Sequence, residues 1–329
     1  MLTPDPLAQL AGLLEPELVA VNAVIRARMS SAHAPRIPEV TAHLIEAGGK
    51  RIRPVLTLAA ARLLGHDGPN PVKLAATVEF IHTATLLHDD VVDESDQRRG
   101  RPTANLLWDN TSSILVGDYL FARAFQLMVE TGNLRVLEIL SNAAAVIAEG
   151  EVLQLTTARN LATDEETYLK VIRGKTAALF SAACEAGAVV SGAPPAQIEA
   201  LRGFGDALGI SFQIVDDLLD YGGASASLGK NTGDDLREGK VTLPVILAYA
   251  QGSEEERAFW SRVIAGRGIG GGDLEAAVAL MRRHGVLEAT RRRALDYADM
   301  AKAALNGLPE GEVTELLRDL AGYVVARVV

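Results

Sequence analysis

FIHTATLLHDDVVDESDQRRG, residues 80–100, runs from an apolar helical stretch directly into five acids and two adjacent arginines. Asp89 and Asp93 stand four positions apart, so on a helix they project from one face a turn apart, with Asp90 beside them. Carboxylates aligned in this way repel one another, and a bound cation relieves the repulsion. The arrangement returns in FQIVDDLLD, where Asp216 and Asp220 are four apart and Asp217 is adjacent. Ile214, Val215, Leu218 and Leu219 make that helix half apolar, so its acidic stripe faces either water or a cavity. A single such motif is more often a solvated helix end. Two in one chain point to a common ligand.

The surrounding pattern is helical. Apolar residues recur at helical spacing nearly throughout, and period-two stretches bounded by hairpin turns are missing, so the class is all-α. Long helices are expected over roughly 71–94, 112–131, 134–159, 164–191 and 196–221, within a bundle of about a dozen. Pro54 suits a first helical turn, and Pro194-Pro195 can open a helix. Thr163 with Glu166, and Ser253 with Glu256, fit capping boxes, while Gly48-Gly49, Gly132 and Gly192 read as stops. Residues 222–240, GGASASLGKNTGDDLREGK, are too rich in Gly and polar residues for a packed helix and suggest a ligand lid. GRGIGGG, residues 266–272, is a linker or a turn; the turn is preferred because similar patterning continues beyond it, and 1–329 is taken as one domain.

Composition narrows the functional classes. The chain of 329 residues is 48% hydrophobic and 22% charged, enough for a core. A net charge of −10 disfavours a nucleic-acid partner without excluding a phosphate site built from a few clustered Lys and Arg. Cys184 is the lone cysteine, so neither an intrachain disulfide nor a cysteine zinc site can form, which suits a reducing cytoplasm. The N-terminal stretch lacks a basic leader, and no run of about 18 apolar residues predicts a transmembrane segment.

Oxygen ligands without a nearby thiol suit Mg²⁺, which usually keeps waters and is completed by phosphate oxygens; the paired acids therefore suggest a diphosphate. EF-hand calcium loops fail, because their required Gly and Glu are absent from both segments. Arg98-Arg99 offer planar forks to phosphate oxygens or, alternatively, surface partners to Glu94 or Asp96. GGKRIRP sets Lys50, Arg51 and Arg53 in a turn before a helix start, where cations and backbone N–H groups can converge on an anion. His82 lies seven positions before Asp89, on the same helical face. Lys175-Thr176, Gln213, Lys230 and Lys240 are further polar candidates, each weak alone.

Together these residues resemble the trans-polyprenyl diphosphate synthases, the head-to-tail prenyltransferases that include farnesyl and octaprenyl diphosphate synthases. The likeness spans nearly the whole chain through GGKRIRP, HDDVVDESDQRRG, GEVLQL, KTAALF, FQIVDDLLDY and LGKNTGDDLREGK; with GDYLFARAFQLM, the first half is most similar to the octaprenyl type that makes ubiquinone side chains. The resemblance implies a one-domain orthogonal helix bundle around a central cavity, usually a homodimer. It implies that Asp89, Asp93 and Asp216 bind Mg²⁺ on the allylic diphosphate, supported by Asp90, Asp217 and Asp220. It places Arg98, Lys175, Thr176, Gln213, Lys230 and Lys240 on that diphosphate, and Lys50, Arg53, His82 and Arg99 on isopentenyl diphosphate.

In such enzymes bulky aromatics four and five positions before the first motif give short products. Here Thr85 and Ala84 stand there, so a long-chain product near octaprenyl is expected, with Ile81, Val78, Phe125 or Met128 as the tunnel floor. Three other readings compete: a terpene cyclase or head-to-head synthase, which would lack the Lys50/Arg53/His82 pocket; a non-catalytic subunit of a heteromeric synthase, which would usually have lost aspartates; and a structural helical protein with solvated acidic faces.

Overall fold

The computed structural model describes residues 5–46, 49–98, 100–222, 233–266 and 269–327. In chain order the α-helices are α1 (Pro6–Leu13), α2 (Glu15–Met29), α3 (Arg36–Glu46), α4 (Ile52–Leu63), α5 (Asn70–Val92), α6 (Ala104–Leu107), α7 (Asn110–Val129), α8 (Leu134–Thr157) and α9 (Glu165–Ile172). They continue as α10 (Ala178–Val190), α11 (Pro195–Leu219), α12 (Asp234–Glu238), α13 (Leu243–Gln251), α14 (Glu254–Trp260), α15 (Asp273–Arg283), α16 (Val286–Ala304) and α17 (Glu312–Ala326). Two π-helical turns, Arg173–Ala177 and Ser261–Ala265, complete the helical content of the described residues.

The five long helices expected from periodicity are present, except that 164–191 is divided by the first π turn. All-α is the class, with one exception among the described residues, too short for alternation to reveal: β1 (Gln97–Arg98) and β2 (Arg101–Pro102) pair antiparallel, with Gln97 opposite Pro102. Gly100 supplies a positive φ of 73° in the intervening turn.

Local signals explain several helix ends. Ser253 and Glu256 form the reciprocal capping box at α14. At α9 the cap is Asp164, whose carboxylate accepts the Thr167 N–H at 2.8 Å. The Thr163–Glu166 box is thus displaced by one residue: both Thr and Asp can cap, and the acid one position later takes the role. Gly132 and Gly192, at φ 68° and 70°, follow α7 and α10 as expected. Gly49 follows α3, while Gly48 lies outside the described residues.

The chain divides into two compact units, each assembled from three sequence segments. The first comprises 1–144, 179–205 and 302–320. In it α4 is buried continuously from Pro54 to Ala61, as a helix that is apolar all round must be. The long α5 packs along α7, α4 and α2. Glycine permits two close approaches: a Cβ on Gly187 would stand 2.5 Å from the Thr57 carbonyl oxygen, and one on Gly117 would overlap the His88 ring.

The second unit comprises 145–178, 206–301 and 321–329. Its core gathers Tyr221, Leu236, Val241, Val245, Trp260, Ile264 and Met281. Leu236 sits in α12, inside the stretch read from sequence as unable to pack; residues 223–232 of that stretch, including Lys230, lie outside the described residues. The residues on both sides of 266–272 belong to this unit, so no boundary between the units falls there; residues 267 and 268 are outside the described set.

Candidate active site

Each acidic motif ends a helix. Asp89 and Asp90 occupy the last turn of α5 and Asp93 is its C-cap; Asp216 and Asp217 occupy the last turn of α11, with Asp220 just beyond it. A helix C-terminus carries partial negative charge, so acids there are unfavourable by roughly 0.3–1 kcal/mol each. Neither helix has a basic residue in its last turn. The placement therefore calls for cations supplied from elsewhere.

In the first motif the acids divide by exposure. Asp90 is wholly buried, whereas Asp89 and Asp93 are half-buried. Arg98 donates from Nε to Asp90 Oδ1 at 2.7 Å, and its Nη2 lies 2.7 Å from the same oxygen. Burial pushes the Asp90 carboxyl up, and Arg98 pulls it partly back. Arg98 thus pairs with the motif's own middle acid, and not with Glu94 or Asp96 as its surface alternative supposed. Arg99 lies outside the described residues.

Upstream on the same helix, His82 Nε2 is 3.3 Å from Arg53 Nη1, and the Arg53 guanidinium stacks 4.5 Å from the Phe180 ring centroid. Two of the four residues assigned to isopentenyl diphosphate are therefore side by side. Arg51, a left-handed residue at φ 46°, heads α4 without a side-chain cap and donates to Asn22 at 2.6 Å, while Lys50 is exposed. Ala84 is fully buried, and the half-buried Thr85 returns its hydroxyl to the His82 carbonyl at 2.8 Å. Val78, Ile81 and Met128 are buried; Phe125 is 42% exposed, which removes it as a tunnel floor within this chain.

The second motif has a different internal order. Asp217 is buried and accepts the Tyr168 hydroxyl at 2.6 Å and the Gln213 amide at 2.7 Å. Gln213 in turn accepts the Thr176 hydroxyl at 2.7 Å. Burial pushes Asp217 up to about 6, with Tyr168 and Gln213 opposing it. Asp220 takes the backbone N–H groups of Gly233, Asp234 and Asp235 at 3.1, 3.2 and 3.1 Å, capping α12. Asp216 remains half-buried, with Arg327 Nη1 at 3.4 Å.

Two candidate lysines of this unit pair with acids. Lys175 donates to Glu151 at 2.9 Å, and Lys240 pairs with Glu238. Lys175 and Thr176 ride on the π turn, where Gly174 meets Gly150 so closely that a Cβ on either would come within 3 Å of the other's backbone. π turns often mark functional positions, since the extra residue redirects side chains.

Sequence reasoning missed Tyr168, Glu151 and Arg327, because their partners lie far along the chain. Only Tyr168 left a signal: it shares a buried face of α9 with Val171 and Ile172, and a buried phenol needs an acceptor. Among the described residues no three His, Cys, Asp or Glu side chains stand together as a ready metal cage. The donors fit Mg²⁺ in chemistry: oxygen ligands at negative helix ends, for an ion that commonly takes one or two carboxylates and completes its shell with water and phosphate.

Residues 34–281 match the polyprenyl synthetase family. The chain is 46% identical to octaprenyl diphosphate synthase of Escherichia coli (strain K12), over 94% of this chain and 96% of that one. It is similar, at TM-score 0.95 and 69% identity, to a decaprenyl diphosphate synthase from Rhodobacter capsulatus, covering 98% of this chain and 99% of that one. A polyprenyl synthase from Caulobacter crescentus CB15, solved with calcium and isoprenyl diphosphate, superposes with TM-score 0.94 at 53% identity, covering 98% of each chain.

Proposed function

This chain belongs to the polyprenyl synthetase family, and from that premise we propose that it condenses isopentenyl diphosphate head-to-tail onto an allylic diphosphate such as farnesyl diphosphate. The product is a long-chain all-trans polyprenyl diphosphate, of octaprenyl length or somewhat longer, for quinone side chains. The observation that carries the reading is the intact pair of three-acid motifs, each closing a helix at its negative end without a basic residue in the last turn. The whole chain, 1–329, acts as one synthase domain.

Asp89, Asp93 and Asp216 would hold Mg²⁺, which when bound supplies Lewis-acid stabilisation to the departing diphosphate. Lys175, Thr176, Gln213, Lys230, Lys240 and Arg98 would orient that allylic diphosphate, with the cations and the Gln213 amide donating to its oxygens as charge accumulates on them. Lys50, Arg53, His82 and Arg99 would seat the second substrate. The allylic C–O bond breaks, the isopentenyl double bond forms the new C–C bond to the allylic carbon, and a proton leaves to the released diphosphate. No side-chain nucleophile is required.

Small Ala84 and Thr85 leave room for a growing chain, and every CH₂ kept from water stabilises the bound product by about 0.8 kcal/mol. Buried Met128 is the proposed floor. The half-open apolar face of α6 and α7, with Leu106, Leu107, Leu115, Phe125 and Val129 exposed, supports a homodimer. Among the described residues no single helix is long and apolar enough to cross a membrane; the proposed compartment is the cytoplasm.

The test is incubation of purified protein with farnesyl diphosphate, labelled isopentenyl diphosphate and Mg²⁺, followed by chromatography of the dephosphorylated lipid. An octaprenyl-to-decaprenyl product is expected. A short product would overturn the chain-length reading. No product would favour a non-catalytic partner subunit.

A further inference from the structure

Tyr168 has no role in the proposed reaction, yet its hydroxyl makes a short buried hydrogen bond in the second unit, 2.6 Å to Asp217 Oδ2. The other carboxylate oxygen, Oδ1, receives Gln213 Nε2 at 2.7 Å, and Gln213 Oε1 receives Thr176 Oγ1 at 2.7 Å. Both arms donate toward Asp217. An ionised carboxylate only accepts, so Asp217 obliges Gln213 to turn its NH₂ inward and its carbonyl toward Thr176. Gln213 and Asp217 are one turn apart on α11, and Tyr168 comes from α9, so the tyrosine is the fixed point on a separate element. Its ring is 3% exposed. Burial and the Asp217 charge hold the phenol well above its ordinary value, keeping it a donor.

We propose that Tyr168 is a positioning residue for the allylic diphosphate: through buried Asp217 it fixes the amide orientation of Gln213, whose carbonyl holds the Thr176 hydroxyl and whose second N–H is left for a diphosphate oxygen. The proposal rests on the assignment of Gln213 and Thr176 to that diphosphate. Asp217 then serves as the hub of the relay, with its two oxygens committed to protein donors. Without the tyrosine hydroxyl, Oδ2 loses its donor and the carboxylate is free to turn, so the Gln213 amide loses its fixed direction.

A purely structural contact between α9 and α11 would lower stability but would not discriminate between the two substrates. The experiment is therefore steady-state kinetics of Tyr168→Phe with each substrate varied in turn. The expected result is a fall of about tenfold in kcat/KM for the allylic diphosphate, the size of one lost charge-assisted hydrogen bond, with KM for isopentenyl diphosphate within about twofold of wild type. In a Gln213→Ala background the Tyr168→Phe effect should largely vanish. An equal loss for both substrates, full additivity with Gln213→Ala, or a lowered Tm with unchanged kinetics overturns the proposal.

If Tyr168→Phe does not fold, the same split is read on Asp217→Asn, whose single oxygen can accept only one of the two donors; unchanged allylic kinetics there overturns it. Wild-type protein that forms no lipid sinks the enzymatic reading instead. The relay is then judged by calorimetry with Mg²⁺ and inorganic pyrophosphate, where Tyr168→Phe should weaken Kd about tenfold by the same reckoning and equal affinity overturns the relay.

Discussion

The motifs 89–93 and 216–220 have the same spacing and close their helices in the same way, yet they hold their middle acids by different means. Asp90 is buried against a cation, Arg98, which balances its charge within the motif. Asp217 is buried against neutral donors, Tyr168 and Gln213, which satisfy its lone pairs but leave its charge. The last acids differ too: Asp93 is the C-cap of its own helix, whereas Asp220 caps the N-terminus of another, α12. Spacing on a helix thus specifies which acids share a face, and long-range partners decide which of them remain available to a ligand. In the second motif the cation, Arg327, stands on the first acid, Asp216, and not on the middle one, a difference that mutation can break or sharpen.

The largest effect is expected at an acid proposed to hold the cation. Asp89→Ala should lower turnover by about two to three orders of magnitude, comparable to removing a principal stabiliser of a departing anion, while the far-ultraviolet spectrum and Tm stay near wild type. Near-normal turnover would remove Asp89 from the metal set. Next is Arg98→Met, which strands the buried Asp90 charge. It should cost about 3 kcal/mol of stability in urea unfolding, the low end for a severed buried pair because Arg98 is partly open to water. A loss no larger than that of an ordinary surface substitution would show that the ion pair is not what holds Asp90.

Asp220→Ala uncaps α12 and should cost about 1–2 kcal/mol by the same assay. A neutral outcome would show that these hydrogen bonds are not what holds α12. The smallest effect concerns pH and has the opposite sign from Asp217. Asp273, forked by Arg262 at 2.9 and 2.7 Å and bonded to the Gly270 N–H, is held down at about 2. Its folded pKa is below the ordinary 3.8, so its contribution is present above about pH 4 and is lost as pH falls toward 2. The Tm difference between wild type and Asp273→Asn should shrink over that interval, and a constant difference would refute the linkage.

Periodicity made the long helices legible, since 3.6-residue spacing is written locally in the chain. So were the two acid sets. Arg53 and His82 are grouped in the sequence only by the resemblance, and they meet because Arg53 opens one helix and His82 lies midway along another that packs on it. What sequence could not yield depends on distant partners or on one extra residue. Tyr168 reaches Asp217 from 49 positions away, and Arg327 reaches Asp216 from 111. α12 was misread because its polar composition favours a loop; Asp220 and the buried Leu236 make it helical. The displaced cap at Asp164 shows how two adjacent capping residues leave a boundary ambiguous.

The π turn at Arg173–Ala177 makes the helical phase of this segment a tuned quantity. It accommodates one residue more than the regular repeat, and each residue turns an α-helix by about 100°. A single deletion just before Lys175 would restore ordinary winding and swing the lysine and the threonine beside it off their present bearings, away from Glu151 and Gln213. Sequence drift in this segment is therefore tolerated by substitution far more readily than by a change in length, and Gly150 and Gly174 face the added demand that neither grow a side chain.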